Sequence, residues 1–326
     1  MMFFSTFALI IHTDINRKMA NDKSLRGHAA MFAANVMWGL NAPIGKSVLG
    51  EFSPLSVTTF RMVGAAIAFW VLSMFCPKEN VESKDLLKLF FAALFGVVFN
   101  QGCFIFGLSL TSPIDASIVT TTTPIITMIV AAMYLHEPIT NKKILGIFIG
   151  AMGALTLILS SQAATSNGQS GSIVGDIFCL IAQLSFAVYL TVFRDLITKY
   201  SPVTISKWLF IYASVCFIPF SYHDVTAIDF TAIPLDMVLQ ISYVVLCATF
   251  LAYILTMFGQ RLLRPTLVSM YNYVQPIVAS IVAVAIGMDS FGWQKGVAIA
   301  LVFLGVYVVT QSKSKDQLES ERKLKI

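Results

Sequence analysis

Ten apolar runs, each close to 20 residues long, fill most of this 326-residue chain. A helix needs about 20 apolar residues to cross a hydrocarbon core about 30 Å thick, because each residue advances it by about 1.5 Å. Lipid offers no partner to an unpaired backbone amide, so each run is expected to be helical. We therefore predict an all-α integral membrane protein with ten transmembrane helices. The predicted spans are approximately 28–49, 54–76, 86–109, 113–135, 142–161, 173–193, 202–220, 233–259, 265–287 and 293–312.

Charged residues make up only 12% of the chain, against about a quarter in ordinary soluble domains. This composition excludes a water-soluble globule, and ten spans leave no room for a large soluble domain. The formal net charge is +5, but the basic residues lie in small groups between apolar runs rather than on one solvated face. The expected partners are therefore the lipid bilayer and a small-molecule solute, with no nucleic acid. A homodimer is compatible with the sequence, which leaves the oligomeric state open.

The basic residues also orient the predicted helices. Eighteen of the 22 Lys and Arg residues fall in one set of alternate connections, which includes both ends of the chain. Cytoplasmic loops carry the excess of Lys and Arg in membrane proteins, so both termini are predicted to be cytoplasmic. The four other basic residues are Lys46, Arg61, Lys207 and Lys295.

Three segments lie outside the predicted spans and their short connections. Residues 1–27 are interpreted as a cytoplasmic leader, in which 1–18 are an upstream extension from a misassigned start, because Met19 directly precedes the polar, basic part. The alternative is a genuine interfacial anchor, since the apolar start is too short to span a bilayer. Residues 162–172 are predicted to be an external linker, and 313–326 a basic cytoplasmic tail.

The two halves of the chain match each other at nearly constant displacements. Phe-Ser-Pro at 52–54, before the second span, recurs as Tyr-Ser-Pro at 200–202, before the seventh, a displacement of 148 residues. Five spans in residues 28–161 thus match five spans in 173–312, and because five is odd the second copy enters the membrane from the opposite side. A displacement of 152 residues relates Gly107 to Gly259, Pro113 to Pro265, Pro124 to Pro276, Glu137 to Asp289 and Gly153 to Gly305.

Several short motifs, taken in order, resemble those of one transporter family. They are Asn35-Val36-Met37-Trp38-Gly39-Leu40-Asn41-Ala42-Pro43 with Lys46, Thr59-Phe60-Arg61, and Leu135-His136-Glu137-Pro138-Ile139-Thr140 followed by Gly146. On these residues the chain resembles the EamA family of the drug/metabolite transporter superfamily from Met31 to Thr310. The resemblance implies a ten-helix carrier of small solutes, built from two five-helix halves, in a bacterial-type plasma membrane.

The second half departs from the family pattern at one place. Asp289-Ser290-Phe291 stands where the family commonly repeats Glu followed by Thr, so no coupling role is assigned to this carboxylate. A proton relay is not visible either, because no Asp or Glu falls in the middle of a predicted span. Facilitated flux or exchange is therefore favoured over proton coupling, and the direction of transport stays open.

Two basic residues fall inside predicted spans. Arg61 lies seven residues past Pro54, and in lipid it would cost about 2.5–3.5 kcal/mol on insertion scales, so it is expected to face protein, a water-filled cavity or the interface. One hypothesis is that Arg61 contacts an anionic group of a solute, and the alternative is that it snorkels to the external headgroups. Lys207 lies five residues past Pro202 in the second half. Lys207 is a second pathway residue in the same hypothesis, although snorkelling explains it well.

Amide and aromatic side chains within the spans are the other candidates for a solute pathway. Asn100 and Gln101 lie at the middle of the third span, where an unpaired amide is most costly. The alternative role is to join helices through hydrogen bonds, each worth about 0.6 kcal/mol on average. Together these residues predict a cavity lined by amides and aromatic rings. The candidates are Trp38, Asn41, Asn100, Gln101, Tyr253, Tyr271 and Gln275.

Two prolines at matching depths predict where the solute site lies. Pro124 and Pro276 each stand eleven residues after an earlier proline, close to the middle of their spans. Proline within a helix frees the carbonyl four residues earlier, here those of Thr120 and Asn272. Interrupted helices at corresponding positions of two repeats are a pointer to a transporter site. The alternative is a plain kink that improves helix packing.

Motifs for catalysis or for a cofactor are not found in the sequence. The four histidines and five cysteines have no metal-ligand spacing, and there is no phosphate-binding glycine loop or nucleophile elbow. We therefore expect no metal, no cofactor and no catalytic residue. The predicted function is that of a secondary transporter, permease or exporter, for an amino acid, an organic acid or an amphipathic compound. The alternative is a membrane-embedded lipid-modifying enzyme.

Overall fold

The structure is a computed structural model. It describes residues 20–111, 116, 119–164, 172–285 and 292–313, and within these residues every regular element is helical. The predictions for the start at 1–18, for Pro113, for the Asp289 motif and for the tail beyond 313 lie outside the described residues.

Fourteen α-helices follow one another along the described part of the chain. A π-helical segment joins α3 to α4 at Leu94–Phe99 and a second joins α10 to α11 at Tyr243–Leu251, while a 3-10 turn at Tyr271–Tyr273 joins α12 to α13. The α-helices are α1 (Ala20–Glu51), α2 (Pro54–Ser73), α3 (Ser83–Ala93), α4 (Asn100–Leu110), α5 (Thr123–Tyr134), α6 (Asn141–Ala164), α7 (Ile173–Val192), α8 (Arg194–Lys199), α9 (Pro202–Thr226), α10 (Leu235–Ser242), α11 (Ala252–Leu262), α12 (Pro265–Met270), α13 (Val274–Ala285) and α14 (Trp293–Thr310).

Six helical segments of the described chain are both long enough and apolar enough to cross a membrane. A seventh helix, α5, is apolar but shorter. The protein is therefore a multi-pass membrane protein whose described part is all-helical. The six segments are Pro54–Ser73, Ser83–Leu110, Ile173–Val192, Pro202–Thr226, Leu235–Leu262 and Trp293–Thr310.

The recurring Ser-Pro dipeptide builds the same helix start twice. Ser53 Oγ accepts a hydrogen bond from the backbone N–H of Ser56 over 3.1 Å at the start of α2. Ser201 Oγ accepts one from the N–H of Thr204 over 3.2 Å at the start of α9. In both helices proline follows the capping serine, at a position whose missing N–H would have no partner in the helix.

Glycines related by 152 residues make matching close contacts between helices. A Cβ atom on Gly107 would lie 2.6 Å from Sγ of Cys179, and one on Gly259 would lie 2.6 Å from Sδ of Met31. Met31 and Cys179 are themselves 148 residues apart. Absence of a side chain lets α4 approach α7, and α11 approach α1, in the same way.

A second pair of glycines brings α6 and α14 together. A Cβ atom on Gly305 would lie 2.5 Å from the backbone nitrogen of Gly150, and one on Gly153 would lie 2.9 Å from the backbone nitrogen of Val302. A shift of 152 residues converts one contact into the other, because Gly153 corresponds to Gly305 and Gly150 corresponds to Val302. The contacts between the halves of the chain thus occur in equivalent pairs.

The two central prolines begin helices that follow a break, rather than kink a continuous helix as in the alternative considered from the sequence. Pro124 lies in the first turn of α5, directly after a turn at 121–122, and Pro276 is the third residue of α13, directly after the 3-10 turn. Proline fits the first helical turn because its missing N–H has no partner there. Both segments are therefore interrupted at corresponding places. The Thr120 carbonyl oxygen lies 2.6 Å from the hydroxyl of Thr123, which provides it with a partner.

The buried core lies where α2, α9 and the second π-helical segment meet. Phe69 on α2 has its ring 4.8 Å from that of Phe250 and 5.4 Å from that of Phe210. The Phe210 ring in turn lies 4.9 Å from that of Tyr253. Large apolar surfaces buried together in this way hold the two halves against each other.

Candidate functional site

A cavity with an empty volume of about 800 Å³, including the part open to solvent, lies between helices of both halves. Eight of the thirteen site residues predicted from the sequence line it: Trp38, Asn41, Arg61, Asn100, Gln101, Thr120, Asn272 and Gln275. The other lining residues are Gly39, Phe104, Leu108, Ala116, Gln183, Phe186 and Ala279. The structure thus brings together residues that are distant in sequence, in the mixture of amides and aromatic rings that the sequence predicted.

One face of the cavity is fixed by a hydrogen-bond chain that joins α4, α11 and the first π-helical segment. Gln101 Nε2 donates to the hydroxyl oxygen of Tyr253 over 3.0 Å. The Tyr253 hydroxyl donates to the carbonyl oxygen of Gly96, inside the first π-helical segment, over 3.1 Å. This hydrogen bond joins the first π-helical segment to α11 of the second half.

Aromatic rings form a second face. The ring of Trp38 lies 6.4 Å from that of Phe186 and 6.1 Å from that of Tyr253, both edge to face. Trp38 Nε1 donates to the carbonyl oxygen of Ala248, in the second π-helical segment, over 2.9 Å. Because its only polar atom is satisfied, the Trp38 ring presents an apolar surface held in one orientation.

Two contacts made by amides that line the cavity, Gln275 and Gln183, are also equivalent between the halves. Gln275 Nε2 donates to Asn35 Oδ1 over 3.0 Å, which joins α13 to α1. The hydroxyl of Thr123 lies 2.7 Å from Gln183 Oε1, which joins α5 to α7. Asn35 and Gln183 are 148 residues apart, and Thr123 and Gln275 are 152 apart.

Gln183 and Phe104 line the cavity although the sequence analysis did not select them. Gln183 carries the same signal as Asn100 and Gln101, because it is an amide near the middle of an apolar span. That signal would have identified it. Phe104 carries no such signal, since one phenylalanine in a span resembles any other.

Arg61 projects into the bundle rather than to the headgroups. Its side chain is only 1% exposed, and Nε donates to Thr249 Oγ1 over 2.9 Å. Nη1 is buried and has no hydrogen-bond partner in the described part of the chain. A snorkelling arginine would keep its guanidinium exposed to water, so the observed geometry favours a place for Arg61 within the helix bundle instead.

Five predicted site residues do not line this cavity. Tyr253 lies behind it, in the hydrogen-bond chain described above, and the hydroxyl of Tyr271 lies 2.7 Å from Nδ1 of His28. Lys207 Nζ lies over the Trp70 ring, 4.9 Å from its centroid, which is a cation–π contact. Pro124 and Pro276 lack the N–H that would bond the carbonyl four residues earlier, and those carbonyls belong to two residues that line the cavity, Thr120 and Asn272.

Glu137 contacts three side chains at the end of the bundle that is predicted to be cytoplasmic. Its carboxylate lies 2.9 Å from Lys143 Nζ, 3.4 Å from Arg194 Nη1 and 3.3 Å from the hydroxyl of Thr266. His136 has a φ of 53°, in the left-handed region, which turns the chain out of α5 immediately before Glu137. The Glu137 cluster, as we call these contacts, links the α5–α6 connection of the first half to α8 and α12 of the second.

A second group of charges lies at the same end. Lys199 Nζ contacts Asp85 Oδ2 and Glu82 Oε1, each over 2.7 Å, and the hydroxyl of Tyr200 donates to Asp85 Oδ2 over 2.8 Å. The hydrogen bonds to Asp85 and Glu82 hold the pKa of Lys199 above its usual range. These contacts join the start of α3 to the end of α8, so α8 is held at both of its ends.

The polar clusters found in the described residues do not have the composition of a metal site. In that part of the chain no three His, Cys, Asp or Glu side chains are placed to hold a metal ion. All five cysteines are free thiols. The chemistry of the cavity is therefore that of hydrogen bonding, aromatic contact and one buried cation.

The family model described as the EamA-like transporter family matches the chain twice, at residues 25–159 and at 173–311. The chain belongs to this family. The two matches divide the chain into the same two halves whose contacts occur in equivalent pairs.

Named relatives of this EamA-like chain come from bacteria, archaea and plants. The uncharacterized transporter YetK of Bacillus subtilis is 23% identical over 90% of this chain and 89% of its own length. An uncharacterized transporter of Archaeoglobus fulgidus is 24% identical over 85% of this chain and 95% of its own. The WAT1-related protein At2g40900 of Arabidopsis thaliana is 23% identical over 77% of this chain and 69% of its own.

A protein of known crystal structure has the same fold as this EamA-like chain. Its coordinates match with a TM-score of 0.70 over 90% of this chain and 98% of its own, at 14% sequence identity. An identity this low carries the fold alone. The family and its named relatives support a membrane transporter, without a stated substrate.

Proposed function

We propose that this EamA-like protein is a secondary transporter that moves a small metabolite across the cell membrane by alternating access. The solute is an amino acid, an organic acid or an amphipathic compound. The observation that carries this proposal is the cavity, which both halves line with amides, aromatic rings and one buried arginine. Ligand sites typically combine apolar walls with a few polar groups that fix orientation.

Ten transmembrane helices in two inverted five-helix repeats, residues 28–161 and 173–312, are part of the same proposal. The family model matches each half once, and contacts between the halves exchange under displacements of 148 and 152 residues. Such exchange is expected when a two-fold axis relates the repeats. The distribution of Lys and Arg supports cytoplasmic termini. A bacterial-type plasma membrane is part of the proposal because the family resemblance implies it.

The described conformation corresponds in this proposal to the outward-facing state. Asp85 and Leu108 lie near opposite ends of the segment Ser83–Leu110, and Leu108 lines the cavity while Asp85 lies among the charge contacts at the predicted cytoplasmic end. The cavity therefore extends toward the end opposite those contacts. Transport requires that the Glu137 cluster separate in the other state, which is a gating step between two packed arrangements.

Flux measurements on purified protein in liposomes test the proposal. We expect a panel of amino acids, organic acids and amphipathic compounds to include a solute that crosses in the presence of protein and emerges chemically unchanged. Trp38→Ala, which removes an aromatic wall of the cavity, is expected to reduce this flux, whereas Trp293→Ala, at an exposed position outside the cavity, is not. Protein-dependent flux of no solute in the panel would count against transport.

A lipid-modifying enzyme is the alternative function, and the same liposomes separate the two. An enzyme would change the lipid composition with time, whereas a transporter would leave it constant while solute moves. Mass spectrometry of extracted lipids before and after incubation measures this directly. Lipid turnover without solute flux would replace the transporter proposal.

A further inference from the structure

Arg61 is a buried cation that lacks a complete set of partners. One of its three nitrogens, Nε, donates to Thr249 Oγ1, and Nη1 is buried in the wall of the cavity without a partner in the described residues. Arg61 also makes no ion pair within the described part of the chain. Arginine carries five N–H donors in a planar fork, so the guanidinium retains binding capacity that this conformation does not use.

A protein gains nothing in stability from such an arrangement. A buried charge without a counter-charge is costly, and a buried donor left without an acceptor adds to that cost. Arg61 is nevertheless held by its bond to Thr249 and is one of the residues that line the cavity. An oriented cation of this kind is pre-organised for an anion that arrives with the solute.

We propose that the cavity binds a monovalent organic carboxylate whose charged group pairs with Arg61. The inference rests on the transporter function proposed above and narrows its solute to one chemical class. A planar carboxylate accepts two parallel hydrogen bonds from a guanidinium, which matches the unused donors in both charge and shape. Arg61 is the one charged side chain among the described residues that line the cavity, which favours a single negative charge.

The rest of the cavity defines the remainder of the ligand. Trp38, Phe104 and Phe186 provide aromatic surface, which suits an apolar body attached to the carboxylate. Asn41 Oδ1 is buried in the same lining without a partner in the described residues, so it accepts a hydrogen bond from a donor group where the ligand has one. A ligand with a carboxylate and an apolar body therefore fits better than a sugar or a cation.

The position equivalent to Arg61 in the second half is Leu209, 148 residues later. Leu209 is fully buried in the core. The second half thus offers no matching cation, and the carboxylate subsite belongs to the first half alone. Although many contacts of the two halves are equivalent, the described lining of the cavity has its cation, Arg61, on the side of the first half. A bound carboxylate therefore takes a single orientation.

Binding to the purified, detergent-solubilised full chain tests the inference. The probes are 3-phenylpropanoate, octanoate and lactate, each with its neutral amide, and 3-phenylpropylamine as a cation. We expect at least one acid to bind in calorimetry more tightly than its own amide, and the amine not to bind. Arg61→Gln is expected to weaken the binding of that acid by about tenfold or more, which is the change in Kd expected from the loss of one charge-assisted hydrogen bond.

Two further variants keep the test decisive. Arg261→Gln makes the same change at an arginine outside the cavity and is expected to bind the acid as the wild type does. Thr249→Val removes the hydrogen bond that orients Arg61 but leaves the charge, so it is expected to weaken acid binding less than Arg61→Gln does. The midpoint of thermal unfolding shows whether each variant is folded. If Arg61→Gln does not fold, Arg61→Lys, which keeps the charge without the fork, replaces it.

Equal binding of each acid and its amide, binding of the amine, or unchanged acid binding in Arg61→Gln would overturn the inference. These outcomes are separable from failure of the proposed function. Flux of neutral or cationic solutes in liposomes, without acid preference, would leave transport standing and remove the carboxylate class. Acid binding that depends on Arg61, without flux of any solute, would remove transport and leave the binding site.

Discussion

Gln101 donates a hydrogen bond to the hydroxyl oxygen of Tyr253 over 3.0 Å, and the two residues are 152 positions apart in the chain. This is the displacement that also relates the paired glycines and prolines. Residues at equivalent positions of two repeats meet each other directly only near the axis that relates the repeats. Each of the two follows a π-helical segment by two residues, Leu94–Phe99 and Tyr243–Leu251. The contact therefore marks a centre at which both halves depart from regular helix together.

Tyr253→Phe is expected to destabilise the protein and to reduce flux. The substitution removes the hydroxyl that links Gln101 to the Gly96 carbonyl, and buried polar groups left without a partner cost about 1–3 kcal/mol. Thermal unfolding in detergent and flux in liposomes measure the two effects. Tyr189→Phe is the matched control, because Tyr189 is also buried but its hydroxyl contacts, among the described residues, only the weakly accepting sulfur of Met257. An effect of Tyr189→Phe as large as that of Tyr253→Phe would contradict the assignment.

Much of the helical framework could be predicted from apolar runs and from the residues that end them. The start of α2 at Pro54 and that of α9 at Pro202 coincide with the predicted spans, because a capping serine and a first-turn proline mark both. Broken segments were harder to predict. The π-helical segments contain ordinary apolar residues, and a contact such as that of Tyr253 with the Gly96 carbonyl comes from a distant helix that the local sequence does not indicate.

The candidate site was predictable where polar residues interrupt an apolar span, and less so elsewhere. Asn100 and Gln101 are costly in lipid and for this reason stand out in a sequence. The space of the cavity itself is made by small residues such as Gly39, Ala116 and Ala279, which are common throughout the spans. Their effect depends on which helices face each other, which a periodic pattern does not specify.

Gly305→Ala is expected to destabilise the contact between α6 and α14. An added Cβ atom would lie 2.5 Å from the backbone nitrogen of Gly150, and backbone atoms cannot move aside without shifting a helix. Overpacking of this kind typically costs about 1–3 kcal/mol, which thermal unfolding in detergent would detect. Gly296→Ala lies in the same helix, with no atom of the described residues within 4 Å of the new atom. It is expected to be neutral or slightly stabilising, and equal losses in the two variants would contradict the packing explanation.

Glu137→Gln is expected to weaken the contacts that close one end of the bundle. Lys143, whose side chain is 1% exposed, would lose its carboxylate partner, and a lost hydrogen bond to a charged group costs about 1.5–3 kcal/mol. We expect a lower midpoint of thermal unfolding and greater labelling of a cysteine placed at Thr266. Glu82→Gln provides the comparison, because its bond to Lys199 is between exposed side chains and is screened by water. A loss for Glu82→Gln at least as large as for Glu137→Gln would rule out a special role for the Glu137 cluster.

The predicted orientation places position 142 in the cytoplasm and position 167 outside. In a variant without native cysteines, a membrane-impermeant thiol reagent added to intact cells is expected to modify Asn167→Cys and to spare Lys142→Cys. Permeabilised cells are expected to show labelling at both positions, which controls for reactivity. The reverse pattern in intact cells would contradict the orientation derived from the Lys and Arg distribution.

The last prediction concerns the interrupted helices at the cavity. Pro124→Ala and Pro276→Ala restore an N–H that can continue a helix through each break, and we expect both variants to insert and fold but to lose much of their flux. Pro219→Ala is the matched control, because Pro219 lies inside α9 and away from the cavity. Cysteines at Thr120 and Gln275, which line the cavity next to the two breaks, are expected to be protected from aqueous thiol reagents by a transported solute. Normal flux in both proline variants, together with no protection at either cysteine, would place the solute elsewhere in the bundle.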